Sequence, residues 1–508
     1  YVSKSFGAHA LNASVVANAT SRESESTSSH YRGFPSGEYH SPNYAAEIKD
    51  KPSKSQSASR LAGFLLLANY TWNDIYLADV SVRFDGSSEF GLDQKWAPFW
   101  SFGAGVNLHN YAFLNGSKVI NRMKFRASYG QTGKVNFPSY SARTVYRTFD
   151  RWYIAGFGVG LKALGNRDLK WETTNKLNVG TDMEFWNSRI SLVFDYYYNK
   201  TVDLITDVTL PGSAGFSSYK SNLGETLNKG FDIQFRFDVM KNKDWNVALW
   251  GNLNHNRNEI LKISDALKAY NSQVEDYYGL AEESQIPTLS WTQAGKTYSD
   301  FIKPIMKYEE GASLTAIYGV RSLGIDPSNG KELYLYRNGQ VSHKWKATEE
   351  VVLGDSEPKA SGSFGLNATY KNFSLFASFG YEWGKQTYNE TLIMNVENAD
   401  IQGSNVDKRV LTQRWEKPGD IAPLKDIKDM NSVTLPTSRF VQDENVLSLD
   451  ALTLSYDFDP LWLRKIYLKT LRLEVSTNEL FRLSSIKQER GTSYPFARTV
   501  NFSLRATF

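Results

Sequence analysis

An all-β chain folded as an antiparallel, membrane-spanning barrel is the architecture this sequence predicts, on three observations. Apolar and polar residues alternate with period two over long stretches. Short and long connections alternate between those stretches, as they do in barrels with tight turns on one side and long loops on the other. No apolar run approaches the roughly 18 residues of a membrane helix, the longest being 61–68, so any insertion must use strands.

The alternation is cleanest at 231–239, where Phe231, Ile233, Phe235, Phe237 and Val239 share one face and Asp232, Gln234, Arg236 and Asp238 the other. Tyr76, Ala78, Val80, Val82 and Phe84 oppose Asp79, Ser81, Arg83 and Asp85 in the same way. Met123, Phe125, Ala127 and Tyr129 oppose Lys124, Arg126 and Ser128; Leu177, Val179, Met183 and Phe185 oppose Asn178, Asp182 and Glu184. Ile190, Leu192, Phe194, Tyr196 and Tyr198 repeat the pattern, and Val500, Phe502, Leu504, Ala506 and Phe508 against Asn501, Ser503, Arg505 and Thr507 close it. About fourteen strands are predicted, over 6–20, 58–72, 75–85, 96–109, 120–131, 172–186, 189–203, 229–239, 245–258, 359–370, 373–385, 445–457, 469–482 and 497–508. Tight links fall at Asn73–Asp74, Trp186–Arg189, Met240–Asp244 and Lys371–Asn372, and long outer segments at about 21–57, 86–95, 132–171, 204–228, 259–358, 386–444 and 483–496. A soluble sheet with one wet face alternates too; strand length and two-sided loop lengths decide for the membrane. Trp72, Tyr76, Trp100, Tyr129, Trp186 and Tyr198 at strand ends suit an interfacial girdle.

Composition narrows the chemistry. With no cysteine, disulfides, thiolate metal sites and cysteine nucleophiles are excluded, and a net charge of +4 spread over 508 residues gives no footprint for nucleic acid. His9, His30, His40, His109, His255 and His343 show no metal-ligand spacing, so no metal, cofactor or enzymatic activity is expected. Gly103 and Gly105 lie inside a strand and read as small lumen-facing residues, and Asp326 to Gly330 as a β-turn, not a calcium loop. Tyr1 opens without a basic or apolar leader and reads as the interior of a β-protein, so the chain is expected to be a portion of a longer one.

Several stretches carry a resemblance: 69–91 (NYTWNDIYLADVSVRFDGSSEFG), 126–133 (RASYGQTG), 164–172 (LGNRDLKWE), 221–231 (SNLGETLNKGF), 318–330 (YGVRSLGIDPSNG), 414–419 (RWEKPG), 438–441 (SRFV), 478–481 (NELF) and 498–508. Together they resemble the SusC/RagA family of outer-membrane proteins along nearly the whole chain. That resemblance implies a TonB-dependent transporter whose barrel of about 22 strands surrounds an N-terminal plug. This chain would supply the last fourteen or so strands, without the plug or TonB box. It further implies import of an oligomeric nutrient, oligosaccharide before oligopeptide. The implied partners are a SusD-like surface lipoprotein, TonB, outer-membrane lipid and the ligand itself, with a dimer of such pairs as the assembly. A siderophore or cobalamin receptor and a non-transporting surface adhesin are the alternatives. Lumen-facing Asp79, Arg83, Lys124, Arg126, Asp182, Glu184, Asp232, Arg236 and Arg505 would line a wet interior. Ligand contacts are expected on outer-loop aromatics, namely Trp152, Tyr153, Phe216, Tyr219, Tyr277, Tyr278, Trp291 and Tyr308.

Overall fold

Because successive side chains of a strand point to opposite faces, a period-two sequence buries or exposes a whole face at once, and pairing must respect that face. In the computed structural model this shows directly in the register. Ala68, Val80, Phe102, Tyr129, Leu177 and Tyr198 stand opposite one another across six strands, and the next row holds Asn69, Asp79, Gly103, Ser128, Asn178 and Tyr197. The apolar row faces outward, with Val80, Phe102 and Tyr129 each more than two-fifths exposed. A one-residue slip would exchange the rows and carry Arg126 into lipid, at about 2–4 kcal/mol for a mid-bilayer arginine.

The structure describes residues 1–508 except 36, 38–40, 92–93, 135–139, 154–155, 164, 167, 210–217, 223, 264, 283–290, 294–295, 299–303, 400–405, 430–433 and 488–497; for 147–153, 156–157, 206–209, 218–219, 221, 265–266, 277–282, 291–293, 296–298 and 466 it describes the backbone only. The principal sheet has sixteen strands, all paired antiparallel. They are β1 (Val2–Phe6), β2 (His9–Ser28), β3 (Ser53–Trp72), β4 (Tyr76–Ser87), β5 (Trp96–Asn107), β6 (Ile120–Lys134), β7 (Glu172–Phe185) and β8 (Ile190–Val202). Then follow β9 (Glu225–Lys241), β10 (Trp245–Lys262), β11 (Ala360–Tyr370), β12 (Phe373–Tyr388), β13 (Val441–Asp457), β14 (Thr470–Asn478), β15 (Arg482–Ser484) and β16 (Val500–Thr507). Neighbours in sequence are neighbours in the sheet, except that β15 returns to β13 and β14 pairs with β16.

The two strands beyond the expected fourteen have simple causes. Gly7, at φ +59°, turns the chain inside the stretch expected as a single strand over 6–20, so Val2–Phe6 pairs back on Leu11–Ala13 and its neighbours. Glu479, at φ +47°, breaks the strand expected over 469–482 and leaves Arg482–Ser484 as its outer continuation. The tight links fall where expected. Asn73 and Asp74 both take left-handed φ, with Ile75 donating to the Trp72 carbonyl to close the turn, and Trp186, Asn187 and Ser188 form a left-handed run.

The outer connections are where expectation and structure differ. The segment 21–57, expected as a loop, continues the β2–β3 ladder to Ser28 opposite Ser53. This hairpin has twenty residues a side, about twice the 9–11 needed to cross a bilayer, so its upper half stands in water. With both faces wet, nothing forces alternation, and Ser, Thr and charged residues follow one another while Lys54 pairs with Glu25 at 2.8 Å. Smaller hairpins occupy other connections: Val145–Tyr153 with Gly156–Ala163, and Ile205–Thr209 with Ser218–Asn222. The segment 259–358 carries a helix, α1 (Asp265–Glu282), and further short strands.

Candidate functional site: lumen wall and outer crown

On the inward face of β6–β8 two arginines are shared among three carboxylates. Arg126 on β6 donates to Asp182 on the adjacent β7 at 3.3 Å and, across that strand, to Asp195 on β8 at 2.7 Å. It spans β7 because the residue between is Gly180, paired with Arg126 on one side and Asp195 on the other. A Cβ there would stand 2.3 Å from the Asp195 carboxylate and 2.9 Å from the guanidinium carbon. Arg122 adds longer contacts to Asp182 and Glu184, at 3.8 and 3.6 Å, and Asn254 donates to Asp232. Between these groups lies a concavity of about 550 Å³ lined by Asn178, Tyr197, Asn199, Gln234 and Asn254 together with the charged Arg126, Lys176, Asp195 and Asp232. Gly103 belongs to this wall as expected; the Asp79 carboxylate lies over it, within 2.4 Å of where a Cβ would stand.

Above the wall, the two longest connections fold into one body, a crown. Arg439, from the SRFV motif, bridges two carboxylates, Glu332 at 2.9 Å and Glu397 at 2.7 Å, with its ring-facing side 4.4 Å from Phe440. All three charged side chains are at least nine-tenths buried. Arg414, from the RWEKPG motif, donates to the carbonyls of Val396, Glu397 and Lys425. Trp345 donates to the Pro436 carbonyl and Trp415 to that of Pro327, both at 2.9 Å. Two apolar cores support these bonds, one around Val274, Val320 and Trp345, the other around Val396, Val410 and Leu424. The remaining motifs are structural in the same sense. Phe90 of the DGSSEFG loop stacks on Trp171 of the LKWE run at 4.4 Å, and Phe99 meets the same indole edge-on at 5.4 Å.

One crown carboxylate is poorly served. Glu350 is fully buried, and among the described residues neither of its oxygens accepts a hydrogen bond. Burial pushes it up to about 7, against the pull of Lys307 at 3.7 Å. Asp407 is the opposite case: bonded by Arg409 and Lys487, it is held well below the usual carboxylate range. The Asp326–Gly330 run is a turn, with Gly330 donating to the Asp326 carbonyl at 2.9 Å and Ser328 to its side chain at 2.8 Å.

Of the eight loop aromatics expected at the ligand, Tyr308 is the one whose side chain is described. Tyr308 packs edge-on against Tyr270 of α1 at 5.6 Å and exchanges two hydrogen bonds with Asn271, so it holds the crown to the helix. The backbones of Trp152, Tyr153, Tyr219, Tyr277, Tyr278 and Trp291 lie in the outer hairpins and α1, with their side chains outside the described residues, as is the whole of Phe216. Sequence reading had no means of finding the Arg439 and Gly180 arrangements, because each joins residues far apart in the chain; the one trace was Arg439 inside a recurring motif.

A family model described as the TonB-dependent receptor-like β-barrel matches residues 4–399, most of the chain. The chain belongs to that family. It is 28% identical over 94% of its length to TonB-dependent receptor P3 of Formosa agariphila, and 25% identical over 86% to TonB-dependent receptor SusC of Bacteroides thetaiotaomicron. It covers 46% and 42% of those proteins, so it spans less than half the length of these curated relatives. Among solved structures, the RagAB peptide transporter superposes with a TM-score of 0.78 at 22% identity, over 95% of this chain and 51% of that one. The chain is therefore outer-membrane barrel wall of the SusC/RagA type.

Proposed function

We propose that the receptor containing this chain imports an oligomeric nutrient by a TonB-dependent route, an oligosaccharide in preference to an oligopeptide, beneath a SusD-like lipoprotein that closes on the crown. The observation that carries the ligand class is the lumen wall. Its arginine is divided between Asp182 and Asp195, and beside Lys176 and Asp232 the larger share of what remains for a ligand is a floor of amides and hydroxyls. Such a surface matches a neutral, hydroxyl-rich chain, whose many weak hydrogen bonds suit passage better than a few strong ionic ones.

The plug and TonB box belong to the remainder of the full-length protein, and the assembly is a dimer of receptor–lipoprotein pairs. Trp152, Tyr153, Phe216, Tyr219, Tyr277, Tyr278 and Trp291 are the outer-loop residues proposed to meet the ligand first, by stacking. The test is equilibrium binding of the full-length protein, purified with any lipoprotein that accompanies it, to neutral glycan oligomers and to peptides of matched length. Binding of glycans alone, with a co-purifying lipoprotein, supports the reading. Tight peptide binding with no glycan binding, or a solitary barrel, overturns it.

A further inference from the structure

Helix α1 is seated on the crown by two stripes. On one, Val274 enters the core of Val320, Trp345 and Ala347 beside Tyr270, one helical turn back. On the other, Asn271 exchanges two hydrogen bonds with Tyr308, and Glu275 accepts one from the Lys307 ammonium at 2.7 Å. Lys307 has 3% of its side chain exposed and Glu275 36%, so an interior cation holds a carboxylate that stands at the edge.

The same ammonium faces a second carboxylate. Glu350, which follows the short helix Ala347–Glu349, lies 3.7 Å from Lys307 Nζ with none of its side chain exposed. Among the described residues Lys307 is the one cation within 4.0 Å of it. The other ionisable groups that face it are Glu275 of α1, Arg337 of the turn 336–339 and Tyr318 of the strand Ala316–Gly319. Arg337 is turned to the Glu350 backbone carbonyl and, at 3.9 Å, to Glu309, and its own backbone N–H goes to Glu349. Tyr318 is fully buried, and burial with Glu309 and Glu350 nearby pushes its hydroxyl up, so it stays neutral. Two carboxylates therefore depend on one ammonium, and they are unequal: Glu275 can turn to water and Glu350 cannot.

We infer that Glu350 and Lys307 form a proton-operated latch on α1. With Glu350 protonated, Lys307 belongs to Glu275 and the helix is seated. With Glu350 ionised, the buried carboxylate draws the ammonium inward and repels Glu275, and the helix carrying Glu275 yields because Glu275 is the partner with access to water. Burial, opposed by Lys307 and reinforced by Glu275, raises the Glu350 carboxyl from 4.5 to about 7. The seated state thus holds the proton more tightly than the loosened one; its advantage is complete below about 4.5 and is lost as pH rises through about 7. The latch acts on one element of the crown and leaves the Arg439 bridge and the core around Val396 in place.

Hydrogen exchange of the full-length protein in detergent, read by mass spectrometry at about pH 5.5 and about pH 8.5 and corrected for intrinsic rates, tests this. The α1 amides should exchange about tenfold faster at the higher pH, while those of β4 and of the segment 392–427 keep their protection. E350Q, neutral at both values, should keep α1 slow at both. E275Q, with no charge to be repelled, should show a clearly smaller step. Protection of β4 reports separately that each variant is folded. Equal exchange of α1 at the two pH values in the parent overturns the inference, as does a step undiminished in E350Q or in E275Q. Loosening of 392–427 together with α1 would make Glu350 a general stabiliser of the crown and overturn it too.

Discussion

The wall and the crown solve the burial problem in opposite ways. In the wall, each strand forms its backbone ladder with its sheet neighbours, apolar side chains turn out to lipid, and charges turn in, several of them paired, on an aqueous face. In the crown, the apolar groups turn in as they do in a soluble domain, and charges are buried among them, with Arg439 held between Glu332 and Glu397. Wall stability is thus spread over many equivalent ladder pairs, whereas crown stability is concentrated in a few nonlocal contacts. A mutation should therefore be felt in one region without the other.

The largest expected separation comes from Arg439→Met. Removing the arginine leaves two buried carboxylates uncompensated, a loss of about 3–5 kcal/mol. Limited proteolysis should cut the crown within 316–440 while the barrel keeps its folded gel mobility. The converse is Val80→Arg, which puts a guanidinium on the lipid side near mid-membrane at a cost of about 2–4 kcal/mol; Ser81→Arg, one residue along and facing the lumen, should cost much less. Urea titration of barrel folding into vesicles measures both, and crown proteolysis should not change. Gly180→Val tests the bridging arginine: a branched side chain on the Arg126–Asp195 path should cost about 1–3 kcal/mol in the same titration.

A smaller, pH-dependent effect belongs to Glu350. Its carboxyl is raised from 4.5 to about 7 in the folded crown, so the folded state holds the proton more tightly than the unfolded. The stability this contributes is fully present below about 4.5 and is lost as pH rises through about 7. Crown resistance to proteolysis should fall over that interval in the parent and lose most of this fall in Glu350→Gln. The smallest effect is expected at Lys54→Ala, where both partners of the Lys54–Glu25 pair are more than half exposed; melting in low and high salt should show no difference from the parent.

The same contrast explains what the sequence disclosed. Lipid on one side and water on the other impose period two, so the rows through Val80 and Asp79 were legible residue by residue, as were the turns at Asn73–Asp74 and Lys371. Where that asymmetry ends, the signal ends. The wet half of the β2–β3 hairpin reads as loop because Ser21 to Ser28 face water on both sides. The crown is silent for another reason: Glu332 and Arg439 are more than a hundred residues apart, and no spacing rule joins them. Of the lumen site, the inward charges were legible singly, but their pairing across Gly180 was a property of register.

The central claim is that this chain is a wall with lipid on one face and an aqueous lumen on the other. This chain contains no cysteine, so once any cysteine elsewhere in the full-length protein is replaced, single cysteines at Val80, Ser81, Val82 and Arg83 can be tagged in outer-membrane vesicles with an environment-sensitive fluorophore. Quenching by a bilayer-embedded quencher should be strong at 80 and 82 and weak at 81 and 83. Uniform quenching along β4, or the reverse alternation, would contradict the account.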